Sequence, residues 1–587
     1  MENELCQTLL AQWCERLLEL QITDMHEEGL YGGILCPACS RVHGRCMDAL
    51  YPFMHMADTR HDSRFLEGAK LLFDWAERVV SRPDGCYVND TNSDWRGITV
   101  FSVIQLAEAI KYHSHILDAA TLRRWTERLA KAADFLCGFG AIYSNNVNYR
   151  ITNALAMQYC SELLDKPAYA RLAQQSAEAA RRFISDEGFL FGEGRPSDGH
   201  SPRGCRAVDI GYNVEESLPS LALYARITGD SALEQLVARA MSTQLQFMLP
   251  DGGWDNSFGT RNFKWTYWGS RTSDGSLLGL LLAAKHNPAF LTAAQRNLEL
   301  LSRCTQQGLL QGGLHYHLVG ERPCVHHTFT HAKVLAGILD HGLTFEGARA
   351  PLPCTPQGIT HFTDIDSYRV NCGGTLATLT CYDWEYLPGG HASGGNLSML
   401  WHPATGPVLC ATMSDYSMKE PNNMQLPRFE RHECLSPALM YSHDETLYTT
   451  LYDFAATASV VSDCCIEVSG QVADVAHKAP LQPLSHVTRY TFGQAAVEVE
   501  LSLSRNEGYF ICPLVAAAGD EPVTLANNTV TIHKPGAMVT LTVHTGLLEL
   551  PYGAQRCYNL VAGMQAVKAA ILPADGHIRF TIAISVK

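Results

Sequence analysis

The sequence predicts a multidomain α and β protein: an (α/α)6 toroid, read as an incomplete barrel, over residues 1–345, a linker over 346–358, and a large antiparallel β-sandwich over 359–587. Three observations carry this reading. Apolar residues recur at intervals of three and four as far as Leu343. Glycine beside an aromatic or apolar residue punctuates the same half roughly every 50 to 65 residues, the length of one helix pair with its loops. Past "RAPLPCTPQG" (349–358) the apolar period becomes two.

In the first half, "FLEGAKLLFDWAERVV", "TVFSVIQLAEAIKYH", "TLRRWTERLAKAADFL", "YARLAQQSAEAARRFI", "ALEQLVARAMSTQLQFM" and "HAKVLAGILDHGL" all carry the helical period. The punctuation falls at Glu28-Gly29-Leu30-Tyr31, Asp84-Gly85-Cys86-Tyr87, Gly138-Phe139, Glu187-Gly188-Phe189, Asp251-Gly252-Gly253-Trp254 and Gln307-Gly308-Leu309. Helix pairs that cannot bury their apolar faces alone stack into a solenoid or close into a ring. A ring is favoured here because its loops, rich in Trp, Tyr, Asn and Arg, then gather around one mouth. In the second half, "HFTDIDSYRV", "TLATLTCYDWEY", "TLYTTLYDF", "HVTRYTF", "AAVEVELSLS", "AMVTLTVHT" and "HIRFTIAISVK" alternate and are dense in Thr, Val, Tyr and Ile. Many strands without interleaved helices imply stacked sheets.

The formal charge of −15 argues against nucleic-acid or anionic-membrane partners, which need clustered Lys and Arg. No run of about 18 apolar residues is present to span a bilayer. The 20 cysteines are scattered along a long chain, so reduced thiols are the simpler reading. The start, "MENELCQTLLAQWCERLLEL", reads as an amphipathic helix and lacks the basic and apolar regions of a signal peptide. If Met1 is the natural start, a cytoplasmic location is expected. A chain trimmed of its signal reads the same way, so a periplasmic or secreted location stands beside it.

Several local patterns carry chemistry. "YSNNVNYRITNALAM" holds Asn145, Asn146 and Asn153; "GFLFGEGRPSDGHSPRGCRAVDIGYNVEESL" holds His200 and Tyr212; "HASGGNLSMLWHPATGPVLCATM" holds His391. Each has a plainer reading: Asn as a helix N-cap, Tyr212 as a core aromatic with a satisfied hydroxyl, His391 as a turn residue. In this order, on a toroid followed by a sandwich, they resemble the toroid-plus-sandwich polysaccharide lyases, particularly the heparinase II/III-like and alginate-lyase-like group. Asn146 stands where many relatives have His, and the sandwich motif lacks a second His and an Asp.

The resemblance implies a lyase that cleaves a uronic-acid-containing glycan by β-elimination to a 4,5-unsaturated uronate, with no cofactor required for the chemistry. Its carboxylate would be neutralised by Asn145 or Asn146, with His391 as a second neutraliser or the base, and Tyr212 as the proton shuttle. A phenol needs help to act near neutral pH, and Arg203 and Arg206 are the nearby cations in sequence. An acidic oligo- or polysaccharide is the expected partner. Its binding groups are read as Trp95 and Arg96 in "NDTNSDWRG", Arg150, Arg206, and Arg261, Lys264, Trp265, Tyr267, Trp268 and Arg271 in "DGGWDNSFGTRNFKWTYWGSRTSDG", since aromatic faces stack on sugars and guanidinium groups pair with carboxylates. His327, one turn before His331, lines the cleft or packs in the core. Cys36, Cys39, His43 and Cys46 in "ILCPACSRVHGRC" have spacings that suit a structural zinc. Two rivals remain: a toroid glycoside hydrolase using carboxyl groups among Asp94, Asp209, Glu215, Asp255 and Asp274, and a non-catalytic binder of acidic glycans. Oligomeric state is not legible.

Overall fold

The computed structural model describes residues 1–90, 93–138, 146–267, 275–414, 416–417 and 431–587. Among these, the first half forms two concentric sets of helices. The inner set is Leu50–Arg60, Thr99–His113, Val147–Leu164, the stretch from Ile210 to Thr228, Leu277–Ala283 and Val325–Asp340. Each inner helix packs on the next, and Val325–Asp340 returns to Leu50–Arg60, so the ring closes. The outer set is Glu2–Glu19, Ser63–Val79, Ala119–Cys137, Pro167–Arg181, Ser231–Gln244 and Ala289–Arg303.

Sequence separates the two sets. Thr99–His113 and Val325–Asp340 are buried around nearly their whole circumference, whereas Ser63–Val79 buries one stripe. Three outer helices start on an aspartate whose carboxylate accepts backbone N–H groups: Asp62, Asp118 and Asp230.

The recurring glycines mark turns that follow outer helices. Ser81 bridges to Tyr87 and Met248 to Trp254. Gly85 and Gly252 lie in the left-handed region (φ +97° and +92°), and a Cβ on either would sit 2.2 Å from a carbonyl oxygen of the next outer helix, Lys131 or Arg296. Each such turn therefore docks backbone to backbone on the following unit.

At one end of the ring, three inner helices share a buried ionic knot. His113 places Nδ1 2.9 Å from Asp58 and Nε2 2.9 Å from Asp340, which also receives His55 Nδ1 at 2.9 Å and the Tyr51 hydroxyl at 2.7 Å. Burial opposes charge on His113, but the two carboxylates outweigh it and raise its pKa; Asp340, despite burial, is held well below the carboxylate range by His113 and His55. The carboxylate contribution is complete above about pH 4 and lost on acidification, while the His113 contribution is complete below about pH 6.5 and lost as pH rises through its raised value. The thermal midpoint of His113→Gln should thus fall furthest below wild type between these limits, and the gap should narrow above them. A gap that widens steadily toward alkaline pH would contradict this assignment.

The second half is antiparallel throughout. A five-stranded sheet runs in chain order over Gly358–Phe362, Ser367–Cys372, Thr375–Thr380, Asn396–His402 and Gly406–Cys410. An eight-stranded sheet has Ser485–Phe492, Ala496–Leu503, His577–Val586 and Ala537–Thr545 adjacent at its centre, and a six-stranded sheet centres on Tyr509–Val515 and Met564–Leu572. Ser485–Phe492 and His577–Val586 alternate exposed and buried, as strands with one wet face do. Thr375–Thr380 and Asn396–His402 are buried at every position. Their sheet is covered twice: Leu379 and Leu400 join the sandwich core with Val499 and Phe580, while Leu376, Met399 and Trp401 join the toroid core.

"TLATLTCYDWEY" is not one strand. Pairing stops at Thr380, and residues 381–395 form a loop that reaches into the toroid. The Tyr382 hydroxyl accepts from Val208 N at 2.9 Å and donates to the Arg206 carbonyl. Asp383 accepts from Arg203 N at 3.0 Å and from the Ser201 hydroxyl. The Arg203 side chain pairs with Asp366 and donates to the carbonyls of Phe454 and Ala456. Arg203 is an interdomain tether.

Candidate active site

Tyr212 is placed by its own segment. Ile210–Tyr212 starts an inner helix that passes through a π-helical turn, Asn213–Ser217, before continuing as Leu218–Thr228. Such turns recur at functional sites because they redirect consecutive side chains. The helix is capped by Asp209, which is fully buried; burial pushes its pKa up against the donors it receives. Those donors are Tyr212 N at 3.0 Å, Arg261 N at 2.9 Å and Asn256 Nδ2 at 2.9 Å. One carboxylate therefore fixes the Tyr212 and Arg261 segments to each other. Gly211 completes the fit: a Cβ there would fall 1.5 Å from the Trp265 ring, so only glycine lets the helix meet the loop that carries Arg261 and Lys264.

The result is a phenol beside two cations. Lys264 Nζ donates to the Tyr212 hydroxyl at 3.0 Å, and the Arg261 guanidinium lies 4.5 Å from the Tyr212 ring centre. The same guanidinium lies 4.5 Å from the ring of Tyr386, which the 381–395 loop delivers from the sandwich. Arg261 Nη1 meets Glu193 Oε2 at 3.2 Å. Glu193 is fully enclosed, and burial pushes its pKa up to about 7, with Arg261 opposing and Asp209 reinforcing.

Glu193 also settles what Asn146 does locally. Asn146 occupies the N-cap of Val147–Leu164, but its side chain makes no capping hydrogen bond. Glu193 Oε1 accepts from Asn148 N at 3.2 Å instead, a carboxylate at the positive end of a helix. Asn146 is backbone-bridged to Glu193 and so sits beside the Arg261 and Tyr212 group. On the same helix, Tyr149 accepts from Trp95 Nε1 at 3.0 Å with their rings edge to face at 5.6 Å, and Asn148 Nδ2 donates to Glu216 Oε2 at 2.8 Å.

The structure thus brings together Asn146, Tyr212, Arg261 and Lys264, with Trp95 at the edge, 44% exposed. Other expected site residues lie elsewhere. Trp265 and Tyr267 are buried to within 1%, the first against Gly211 and the second donating to Asp251 at 2.9 Å, so they are core residues and not sugar platforms. Arg206 stacks 4.4 Å over Phe191 and Arg203 faces the sandwich, so Lys264 and Arg261 are the cations beside Tyr212. Arg150 lies over Phe183 at 5.8 Å, and Arg96 pairs with Asp84 at 2.6 Å. His327 is fully buried in the last inner helix. His200 is exposed on its loop.

His391 does not meet Tyr212. Its Nε2 lies 3.0 Å from the Tyr382 carbonyl oxygen, and its ring stacks on Phe454 at 5.8 Å. Burial lowers its pKa, leaving a neutral imidazole that supports the 381–395 loop. Asn145, Trp268 and Arg271 lie outside the described residues.

Sequence reasoning missed Glu193 and Tyr386. The first was hidden in "FGEGRP" as a loop residue, although Glu between glycines in a motif already suspected is a signal. The second was absorbed into a supposed strand, although "YDWEYLPGG" breaks off in a Pro-Gly-Gly turn.

A closed helical toroid with a sandwich loop lending groups to its mouth, and a phenol there beside cations and an amide, defines the toroid-plus-sandwich class of polysaccharide lyases. Within that class the chain belongs to the ulvan lyase family: the family's N-terminal domain matches residues 10–355 and its C-terminal domain residues 359–587. A broad-specificity ulvan lyase of Formosa agariphila is 38% identical over 607 residues, covering 99% of this chain and 93% of the relative. Two solved structures share the fold. Chondroitin AC lyase of Streptomyces coelicolor A3, in complex with chondroitin sulphate, has a TM-score of 0.54 at 12% identity, covering 100% of this chain and 80% of its own. A heparinase III has a TM-score of 0.53 at 10% identity, covering 98% and 84%. The protein is a polysaccharide lyase that cleaves a uronic-acid-containing glycan by β-elimination.

Proposed function

We propose that the substrate is ulvan and that Tyr212 moves the protons. The elimination removes the proton at C5 of the uronate, forms the C4–C5 double bond and breaks the bond from C4 to the glycosidic oxygen. Ionised, the Tyr212 oxygen takes the C5 proton; the phenol so formed gives a proton to the departing oxygen. The observation that carries this is the 3.0 Å contact between Lys264 Nζ and the Tyr212 oxygen, with Arg261 over the ring. Two adjacent cations favour the phenolate. The Asn146 amide neutralises the uronate carboxylate as charge builds on it, which is oxyanion-hole logic applied to an enolate.

Of the carboxyl groups expected for hydrolysis, Asp274 lies outside the described residues, and Asp209 and Asp255 are occupied by structural hydrogen bonds. Asp209 is committed to three donors, and Asp255, also fully buried, accepts from Ser257 N at 2.9 Å and from the Thr378 hydroxyl. The substrate reading rests on the Formosa relative and the family match.

The test is digestion of ulvan, alongside other polyuronates and glycosaminoglycans, with near-ultraviolet absorbance followed. Ulvan should give the strongest rise, from the conjugated 4,5-unsaturated uronate. New reducing ends without that absorbance would overturn the mechanism, and a stronger response to another glycan would overturn the substrate.

A further inference from the structure

We propose that Cys36, Cys39, His43 and Cys324 bind one zinc ion, which closes the seam of the toroid. Cys36 Sγ, a His43 ring nitrogen and Cys324 Sγ all lie within 4.8 Å of one another. The two sulfurs are 3.7 Å apart, the separation expected of thiolates each about 2.3 Å from one tetrahedral zinc. The fourth ligand is Cys39, whose Sγ is 3.1 Å from His43 Nε2. The other ring nitrogen, His43 Nδ1, lies 3.5 Å from Asp90 Oδ1, the carboxylate–histidine arrangement that orients a metal-bound imidazole.

The backbone is shaped for the same purpose. Between the first two ligands and His43 the chain doubles back: Cys36 N donates to the Arg41 carbonyl and Ser40 N to the Cys36 carbonyl, both at 2.8 Å, with Ser40 in the left-handed region at φ +55°. Cys36 and Cys324 are fully buried, while Cys39 and His43 are partly so. Cys46, expected from sequence to be the fourth ligand, is instead buried in the turn Gly44–Ala49 with its thiol near the Ile34 backbone. Cys324 takes its place from 288 positions along the chain.

That substitution gives the site its role. Cys36, Cys39 and His43 belong to the loop between the first outer and first inner helices, and Cys324 is the N-cap of the last inner helix, Val325–Asp340. The ion joins the first unit of the ring to the sixth. Two residues past His43, Arg45 Nη1 lies 3.9 Å from Glu216, which holds Asn148 on the helix that carries Asn146. The closure therefore also fixes one wall of the mouth.

The experiment is elemental analysis of the full chain after growth in zinc-supplemented medium and gel filtration, which should find about one zinc per chain. Cys36→Ser and Cys324→Ser should bring zinc to background, while Cys46→Ser should retain it. Cobalt exchanged into wild type should show thiolate-to-cobalt charge transfer in the near ultraviolet, and this holds the proposal to account even if a serine variant does not fold. Wild type without stoichiometric zinc would overturn the proposal. So would a Cys36–Cys324 disulfide in non-reduced peptides, or zinc lost from Cys46→Ser but kept in Cys324→Ser. None of these readouts depends on the substrate.

Discussion

Tyr212→Phe is expected to lower kcat on ulvan by about 10²- to 10⁴-fold, the usual worth of a positioned proton-transfer group, with KM and the thermal midpoint near wild type. The side chain is 5% exposed and packed under Arg261, so the ring keeps its place without the hydroxyl, and what disappears is the atom 3.0 Å from Lys264. A companion variant separates proton transfer from packing. Lys264→Met removes the ammonium that favours the phenolate, so its activity should be restored in part as pH rises, whereas Tyr212→Phe should stay low at every pH. If Tyr212→Phe keeps more than about a tenth of wild-type kcat, the phenol does not carry the proton, since that loss is below what such a group contributes.

How much of this was legible in the sequence depended on the range of the interactions involved. The helical half was readable because its outer helices carry their own amphipathic stripes, and three of them their own aspartate caps, both local features. The repeating glycines were readable for the same reason: at Gly85 and Gly252 the next helix comes too close for any side chain, so the residue type is forced at those two turns. The alternating strands of the eight-stranded sheet were legible because one face is wet. The run through "TCYDWEY" misled because that sheet is buried on both faces. There the pleat no longer sorts polar from apolar residues, and the end of a strand leaves no mark.

The site was legible where a motif carried it and obscure where tertiary pairing did. Tyr212 and Asn146 sit in quoted motifs. Sequence proximity points to Arg203 and Arg206 as the cations beside Tyr212, but one buried carboxylate, Asp209, recruits Arg261 from 52 residues away. Aromatic density in "RNFKWTYW" looked like a sugar platform, yet Trp265 and Tyr267 bury themselves to hold the loop while the basic residues beside them face Tyr212. Cys324 illustrates the same limit: a ligand set spread over distant segments cannot be read from spacing, and the nearest cysteine, Cys46, stood in for it.

The second large effect is on stability. Asp48→Asn should cost about 3–5 kcal/mol, the usual result of removing one partner from a buried ion pair. Asp48 is fully buried, and its Oδ2 receives Arg45 Nη2 at 2.7 Å and Lys333 Nζ at 2.9 Å, themselves only 4% and 5% exposed. Burial raises the Asp48 pKa, but the two cations outweigh it and hold the carboxyl below its ordinary value. Without that charge, two buried cations face each other over the Phe101 ring, at 4.6 and 5.6 Å from its centre. Arg45 would then be drawn toward Glu216, loosening the grip of Glu216 on Asn148, so activity should fall together with stability. Adding Lys333→Met should recover a substantial part of the loss by removing one stranded charge, which a merely local packing defect at position 48 would not allow. Urea unfolding followed by far-ultraviolet circular dichroism measures both; a single-variant cost within about 0.5 kcal/mol of zero, the range of ordinary surface substitutions, would show that the cluster does not hold the ring together.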